Sequence, residues 1–211
     1  IMSNNIGGNI FILAAPSGAG KTSLVKALLE KNNNLTISTS HTTRQPRENE
    51  IDGKDYYFIQ EEEFKNLVKK DYFIEHAKVF GNYYGTSLSL VKSELKAGKD
   101  IILEIDWQGA RKVRSAELDV TTIFILPPDF KTLKRRLLKR KKDSIEVIEQ
   151  RMCAALKEVS HYKEFEFIII NDVFEEALTK LHDIITNPKT NLHRQSSFFD
   201  NFVSQMMAEK S

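Results

Sequence analysis

Short runs of apolar and β-branched residues recur along the chain, separated by stretches long enough to hold a helix. Several runs are apolar at almost every position, which is typical of strands in a parallel sheet covered by helices on both faces. The runs predict five strands, at Ile10–Ala14, Thr36–Thr39, Ile101–Ile105, Thr121–Leu126 and Phe167–Ile170. This alternation predicts an α/β fold of three layers around a parallel five-stranded core sheet.

Helical patterns fall between these predicted strands, because apolar residues recur there every three or four positions. The stretches with this spacing are 24–29, 88–95, 143–162 and 173–185. Gly98 ends the second stretch, and Asp143 with Glu146 three residues later is a capping pattern at the start of the third. In the tail after Pro188, one further amphipathic helix is predicted by Phe199, Phe202, Val203 and Met206.

Two stretches do not follow the alternation. Residues 40–85 carry glycines, many tyrosines and short strand-like pieces such as Tyr56–Ile59, and they predict an inserted small lobe. Residues 131–142 form a strongly basic run on a predicted helix. Such a run is most often a solvated helix face, with contact to nucleic acid as the alternative.

Composition narrows the class of protein. The 211 residues, 41% of them hydrophobic, suit either one large domain or a core that carries inserted lobes, and they can bury a sizeable core. A formal net charge of +2 is too small to indicate a nucleic-acid partner by itself. No apolar run reaches transmembrane length, and the single cysteine, Cys153, excludes an intrachain disulfide. We therefore expect a cytoplasmic protein with neither a membrane nor a nucleic-acid partner.

The first predicted strand leads directly into a phosphate-binding loop. Small residues let its backbone N–H groups turn towards phosphate oxygens, Lys21 reaches the β- and γ-phosphates, and Thr22 offers a hydroxyl to Mg²⁺. The helix that follows begins at the loop, where its dipole favours an anion. The loop consists of Ala15, Pro16, Ser17, Gly18, Ala19, Gly20, Lys21 and Thr22, with Ala15 in place of the usual first glycine. It predicts a nucleoside triphosphate as ligand, with Mg²⁺ arriving on it; a turn that binds nothing is the alternative.

Further motifs follow in a fixed order. They are Ser40-His-Thr-Thr-Arg44-Gln-Pro-Arg47, Asp52-Gly-Lys-Asp-Tyr56, Glu75, Gly81-Asn-Tyr-Tyr84-Gly-Thr86 and Glu104-Ile-Asp106-Trp-Gln-Gly109-Ala-Arg111. Together they resemble the guanylate kinase family, bacterial members above all, from about residue 9 to 185. The resemblance implies a kinase that transfers the γ-phosphoryl group of ATP to GMP, giving ADP and GDP in purine nucleotide metabolism.

The same resemblance implies a division of the chain. A guanylate kinase domain spans 9–187 and is followed by a helical tail over 188–211. Within the domain, the P-loop core takes 9–39, 91–128 and 151–187, the GMP-binding lobe takes 40–90, and a helical lid takes 129–150.

The chemistry of the small-lobe motifs suits a purine monophosphate. Arg44 and Arg47 lie three residues apart across a proline, so two guanidinium groups can converge on one phosphate dianion. A carboxylate can accept both N–H hydrogens of the guanine edge, whereas it repels the N1 lone pair of adenine. Glu75 occupies the family position for that carboxylate, although alone it reads as a surface residue. The resemblance implies a GMP site of Ser40, Arg44, Arg47, Tyr56, Glu75, Tyr84, Thr86, Glu104 and Asp106.

The resemblance also gives the basic run a second interpretation. It places Arg136 and Arg140 in the lid and Arg151 on the next helix, where they act with Lys21 as catalytic residues. Such cations stabilise the charge that moves from the γ-phosphate to the acceptor. It also places Asn171 near the adenine of ATP. The glycines usual around the second lid arginine are replaced by Lys139, Lys141 and Lys142.

Three alternatives stay open at the level of sequence: a kinase for another nucleoside monophosphate, a non-catalytic interaction module of the same fold, and a nucleic-acid binder. The set of Ser40, Glu75 and Thr86 argues against the first. The intact Gly20-Lys21-Thr22 argues against the second, and only the basic run supports the third. The oligomeric state stays open between monomer and homodimer.

Overall fold

The computed structural model describes residues 7–79, 81–116, 118–138, 145–190, 194 and 196–208, with the backbone alone for 145–147. The strands are β1 (Ile10–Ala14), β2 (Leu35–Ile37), β3 (His41–Thr42), β4 (Tyr57–Phe58), β5 (Phe73–Val79), β6 (Asn82–Ser87), β7 (Asp100–Leu103), β8 (Val120–Leu126) and β9 (Phe167–Ile170). The α-helices are α1 (Lys21–Lys31), α2 (Glu61–Lys69), α3 (Leu88–Lys96), α4 (Trp107–Ser115), α5 (Phe130–Leu138), α6 (Ile145–Val159), α7 (Phe174–Thr186) and α8 (Ser197–Ala208).

Five strands form a parallel sheet of order β2–β7–β1–β8–β9. The residues of β1 from Phe11 to Leu13 are fully buried, as expected for a strand covered on both faces. The prediction of an α/β fold around a parallel five-stranded sheet is therefore confirmed. β1 and β9 have the predicted bounds, and β8 begins one residue earlier, at Val120.

The predicted strand Ile101–Ile105 was wrong at its C-terminal end. β7 stops at Leu103, and Asp106 is instead the N-cap of α4, where its side chain accepts a hydrogen bond from the backbone N–H of Gly109 at 2.8 Å. A helix cap, not pairing within the strand, therefore fixes the position of Asp106.

The prediction Thr36–Thr39 was shifted towards the C-terminus. β2 covers Leu35–Ile37, and its last register pair joins Ile37 to Ile102. Ser38 still donates its N–H to the carbonyl of Ile102 at 2.9 Å, after which the chain leaves the sheet.

The chain divides into two compact units. The first holds the described residues up to Ile12 together with Asn34–Val120, and the second holds Leu13–Asn33 together with the described residues from Thr121 onwards. The division by function given above, into core, GMP-binding lobe and lid, stays a prediction.

The first unit carries a second sheet, of order β4–β3–β6–β5. β6 pairs antiparallel with both β3 and β5, while β3 and β4 run parallel. Aromatic rings pack on one another beside this sheet: Phe64 stacks on Phe73 and His41 on Tyr57, each with ring centroids 4.7 Å apart. Burial lowers the pKa of His41 in this cluster, so the ring is neutral at physiological pH.

The second unit carries the phosphate-binding loop, and α8 belongs to the same unit. In α8 the side chains of Val203 and Met206 are buried, and the hydroxyl of Tyr162 donates a hydrogen bond to Asp200. The basic run begins on α5, and the predicted helix cap Asp143 lies outside the described residues. Across the described ranges, none of the helices combines the length and the apolar character needed to cross a membrane.

Candidate active site

The phosphate-binding loop joins β1 to α1 within the second unit. The carbonyl of Pro16 accepts the N–H of Ala19 at 3.0 Å, which closes the turn before Lys21 begins the helix. A cleft of about 160 Å³ lies in this loop. It is lined by Ala15, Pro16, Ser17, Gly18, Gly20, Lys21, Thr22 and Ser23. The cleft therefore lies where helix α1 presents its N-terminal N–H groups, a position that favours a phosphate.

Gly20 is required at the end of this loop for two reasons. It is the N-cap of α1 with a φ of 95°, a left-handed conformation that side chains rarely adopt. A Cβ atom at this position would also lie 2.3 Å from Nδ2 of Asn171. The glycine therefore lets the Asn171 amide approach the loop backbone closely.

Asn171 and Arg136 both donate hydrogen bonds to the backbone of the loop. The amide of Asn171, 3% exposed, donates to the carbonyl of Ala19 at 2.7 Å. The guanidinium of Arg136 donates to the carbonyls of Ala19 at 3.4 Å and Asn171 at 3.2 Å. Two elements that are distant in sequence, α5 and the end of β9, thus fix one peptide of the loop.

Two further arginines are predicted to be catalytic. Arg151 lies half-buried on α6, and Arg140 falls outside the described residues. The contacts of Arg136 and Asn171 with the loop differ in kind from those predicted, with the triphosphate and with adenine. Those predicted ligand contacts stay predictions.

Replacing Asn171 with alanine should weaken the donor site through the loop. The Ala19 carbonyl would keep only the longer bond from Arg136, so we expect affinity for ATP to fall about tenfold and stability by about 1–2 kcal/mol. Affinities for ATP and UTP, measured by calorimetry, separate two roles for the residue. An equal fall for both nucleotides fits an effect on the loop, whereas a larger fall for ATP indicates adenine contact. Asn187→Ala, at the exposed end of α7, is the matched control.

In the first unit, the side chain of Arg44 lies among aromatic rings and one carboxylate. Its guanidinium carbon lies 5.3 Å from the ring centre of Tyr56, and the rings of Tyr56 and Tyr84 meet edge to face at 6.0 Å. Nη2 of Arg44 donates to Glu50 at 2.8 Å. Burial raises the pKa of the Tyr56 hydroxyl, and the nearby Glu104 carboxylate raises it further. Four predicted acceptor residues, Arg44, Tyr56, Tyr84 and Glu104, are thus brought together.

Two further residues of the predicted acceptor site lie in the same segment of chain. The side chain of Arg47 is 65% exposed, with one guanidinium nitrogen 3.9 Å from Glu50. Ser40 directly precedes β3, and its carbonyl accepts the N–H of Tyr57 at 2.9 Å. Arg47 is therefore linked to Arg44 through Glu50.

Glu75 and Thr86 face each other across the hairpin of β5 and β6. They are register partners, both buried, and the Thr86 hydroxyl donates to Oε1 of Glu75 at 2.6 Å. Between Phe73 and Glu75 the register shifts by one residue, since Phe73 pairs with Ser87. This bulge puts Phe73 and Glu75 on opposite faces of the sheet although they lie two residues apart. Glu75 consequently shares a face with Thr86 while Phe73 joins the aromatic cluster.

The N-terminal turn of α4 packs against the Glu75 carboxylate. A Cβ atom on Gly109 would lie 2.8 Å from Oε2 of Glu75, so only glycine leaves room for this contact. Burial raises the pKa of Glu75 to about 7, with a further increase from Asp106. The Thr86 hydrogen bond and the Lys112 charge act in the opposite direction. A carboxylate poised near neutrality is a frequent property of functional sites.

Three residues that contact the predicted acceptor site are not predicted from the sequence. Gly109 contacts the Glu75 carboxylate, Lys112 donates to the carbonyl of His76, and Glu50 accepts from Arg44. No periodic spacing links these residues to their partners, so only the fold could reveal them.

The described residues hold no group of three or more His, Cys, Asp or Glu side chains that could bind a metal ion. Thr22, exposed at the start of α1, has a hydroxyl of the kind that binds Mg²⁺ beside a triphosphate. The donor set therefore fits an ion that is carried mainly by phosphate oxygens.

Fold and site together define a nucleotide-binding protein of the P-loop α/β class. A family model described as guanylate kinase matches residues 7–188. The chain belongs to the guanylate kinase family, which confirms the resemblance noted in the sequence.

Individual relatives agree with this assignment. Guanylate kinases similar to the chain include those of Psychrobacter arcticus, 50% identical over 95% of this chain and 97% of the relative, and Escherichia coli K12, 46% identical over 96% and 99%. The crystal structure of guanylate kinase from Anaplasma phagocytophilum has a TM-score of 0.72 and 34% identity, and covers 92% of each chain.

Proposed function

We propose that the chain transfers the γ-phosphoryl group of ATP to GMP, giving ADP and GDP. The observation that carries this proposal is the buried Glu75–Thr86 pair, in a family member that retains a complete phosphate-binding loop. A carboxylate held there can accept both N–H hydrogens of the guanine edge. The base of the acceptor is thereby distinguished from adenine, which offers a lone pair at N1 instead.

On the donor side, the loop Ala15–Thr22 holds the triphosphate through its backbone N–H groups and Lys21. Thr22 would hold the Mg²⁺ that comes with ATP, and this ion would neutralise charge on the triphosphate oxygens. Arg136, Arg151 and Arg140 add positive charge as the phosphoryl group moves. Phosphoryl transfer of this kind needs positioning and charge stabilisation more than a general base.

On the acceptor side, the residues divide between the two ends of GMP. Arg44, Arg47, Tyr56 and Tyr84 hold the phosphate with charged and hydroxyl donors, as in bidentate arginine sites. Ser40, Glu75 and Thr86 read the base. Glu104 and Asp106 orient the acceptor nucleotide, and the capping bond of Asp106 to Gly109 supports its fixed position.

The test is a coupled assay for ADP formation, with Mg²⁺-ATP and each of GMP, AMP, CMP and UMP. Turnover with GMP alone is expected. Turnover with another acceptor would refute the role of Glu75 in base selection. No turnover with any acceptor would instead favour a non-catalytic binding module. We place the enzyme in the cytoplasm, where both nucleotides are available, and this is tested by localising the tagged chain.

The affinity for the guanine base should depend on pH near neutrality. Because the pKa of Glu75 is about 7, the carboxylate that accepts both base hydrogens is lost as pH falls. Between pH 8 and pH 6 we expect guanosine affinity to fall about tenfold, following the ionised fraction. Guanosine is used because it lacks the phosphate, which itself titrates near pH 6. A calorimetric affinity that is constant over this range would contradict the prediction.

A further inference from the structure

Glu50 lies between the two arginines assigned to the phosphate of GMP. Its Oε1 accepts a hydrogen bond from Nη2 of Arg44 at 2.8 Å, and its Oε2 accepts the backbone N–H of Arg47 at 2.8 Å. The side chain of Glu50 is 17% exposed, close to the 16% of Arg44. One carboxylate therefore contacts both arginines, although nothing in the sequence motifs assigns it a role.

These contacts close the loop between the two arginines. The N–H of Glu50 donates to the carbonyl of Arg47 at 3.0 Å, so the segment is bonded in both directions. Nη1 of Arg44 donates to the carbonyl of Gln45 at 2.8 Å, and its guanidinium lies near the ring of Tyr56. Arg44 is thus held in one position before any ligand binds.

The charges are consistent with a permanent ion pair. Burial opposes ionisation of Glu50, but the hydrogen bonds from Arg44 and from the Arg47 N–H outweigh it and lower the pKa of Glu50. Glu50 is therefore ionised at neutral pH, and with Arg44 and Arg47 it leaves a single net positive charge. A carboxylate that only neutralised arginine charge would reduce the affinity of the site for a phosphate dianion. A carboxylate that orders the arginine side chains would increase that affinity.

We propose that Glu50 is a positioning residue that preorganises Arg44 and Arg47 for the phosphate of the acceptor; this inference rests on the proposed function. Ordering a long side chain when a ligand binds reduces affinity, and a side chain ordered beforehand avoids that loss. The contacts of Glu50 with both arginines favour order over competition.

The test compares GMP with guanosine, which differ only in the phosphate, by calorimetry on the full chain. Glu50→Ala should raise the Kd for GMP about tenfold while the Kd for guanosine changes less than about twofold. Glu50→Gln keeps one acceptor oxygen and should raise the Kd for GMP only about threefold. In steady state the loss should fall on KM for GMP, with kcat and KM for ATP nearly unchanged. Glu48→Ala, exposed in the same loop, is the matched control.

Three results would overturn the inference: unchanged GMP affinity, tighter GMP binding in Glu50→Gln, or equal losses for GMP and guanosine. The last would indicate general damage to the lobe, which thermal unfolding checks independently. Arg44→Ala separates this inference from the proposed function. If Arg44→Ala weakens GMP but not guanosine while both Glu50 variants bind like wild type, only the role of Glu50 is wrong. If Arg44→Ala weakens the binding of neither GMP nor guanosine, or weakens both equally, the phosphate site itself is misassigned.

Discussion

Replacing Lys21 with alanine is expected to lower kcat by about 10³-fold, the loss typical of removing a donor that stabilises charge in the transition state. Lys21 is the first residue of α1 and lines the loop cleft, where its ammonium group can follow the charge that develops on the transferred phosphoryl group. Because the backbone N–H groups of the loop remain, affinity for ATP should fall much less than kcat. Single-turnover rates and ATP affinities measure the two quantities separately.

A matched control lies on the same helix. Lys26 is exposed on α1, and Lys26→Ala removes an equal charge without touching the cleft, so its kcat should stay within about twofold of wild type. Both variants should unfold at nearly the wild-type temperature. A Lys21→Ala variant with near-normal kcat would show that the loop does not supply the catalytic cation.

The core sheet was predictable because its strands are buried on both faces. In β9 the apolar run ends where the strand ends, and in β1 only Ala15 and Pro16 extend the run beyond the strand, into the loop. β7 shows the limit of this approach. Ile105 continues the apolar pattern, but the chain has already turned towards the cap of α4. Apolar character marks burial rather than strand pairing, so it overshoots where a buried residue lies in a loop.

The second sheet of the first unit was predicted only as a lobe with short strand-like pieces. β3 and β4 have only two residues each, and in β5 the bulge before Glu75 breaks the alternation that would reveal the strand. In the sequence Phe73 and Glu75 share a period-two register, which predicts one common face. The structure puts them on opposite faces, and a single sequence carries no signal for that shift.

The sequence predicts some parts of the candidate site directly and others only with help from the resemblance or the fold. The phosphate-binding loop can be identified from local sequence because its chemistry needs contiguous residues. Glu75 needed the resemblance, since a lone carboxylate in the sequence reads as a surface residue. The bond of Asn171 to the loop joins residues 152 positions apart, so only the assembled fold could reveal it.

Replacing Glu75 with glutamine is expected to lower kcat/KM for GMP by about 10²–10³-fold, because the new amide presents a donor to one of the two guanine N–H groups. The substitution should weaken recognition of the guanine base and leave binding of the phosphate unchanged. The ratio of GMP to AMP turnover should shrink, and the pH dependence of guanosine binding should disappear. Steady-state assays with both acceptors measure the ratio. Glu63→Gln, exposed on α2, is the matched control, and its ratio should not change.

The same substitution has a second, independent consequence for stability. In the folded chain the pKa of Glu75 is raised by burial to about 7, whereas in the unfolded chain it lies at its ordinary value near 4.5. Wild type therefore loses stability as pH rises through this window, because the unfolded state releases its proton first. Above pH 7, Glu75→Gln should be more stable than wild type by roughly 3 kcal/mol, and below pH 4.5 the difference should disappear. Denaturant unfolding of both proteins at pH 5 and pH 8 measures this difference in the free energy of unfolding. A variant that is less active with GMP yet more stable at pH 8 would identify Glu75 as a charge buried for its ligand, whereas a less stable one would assign it to the packing of the lobe.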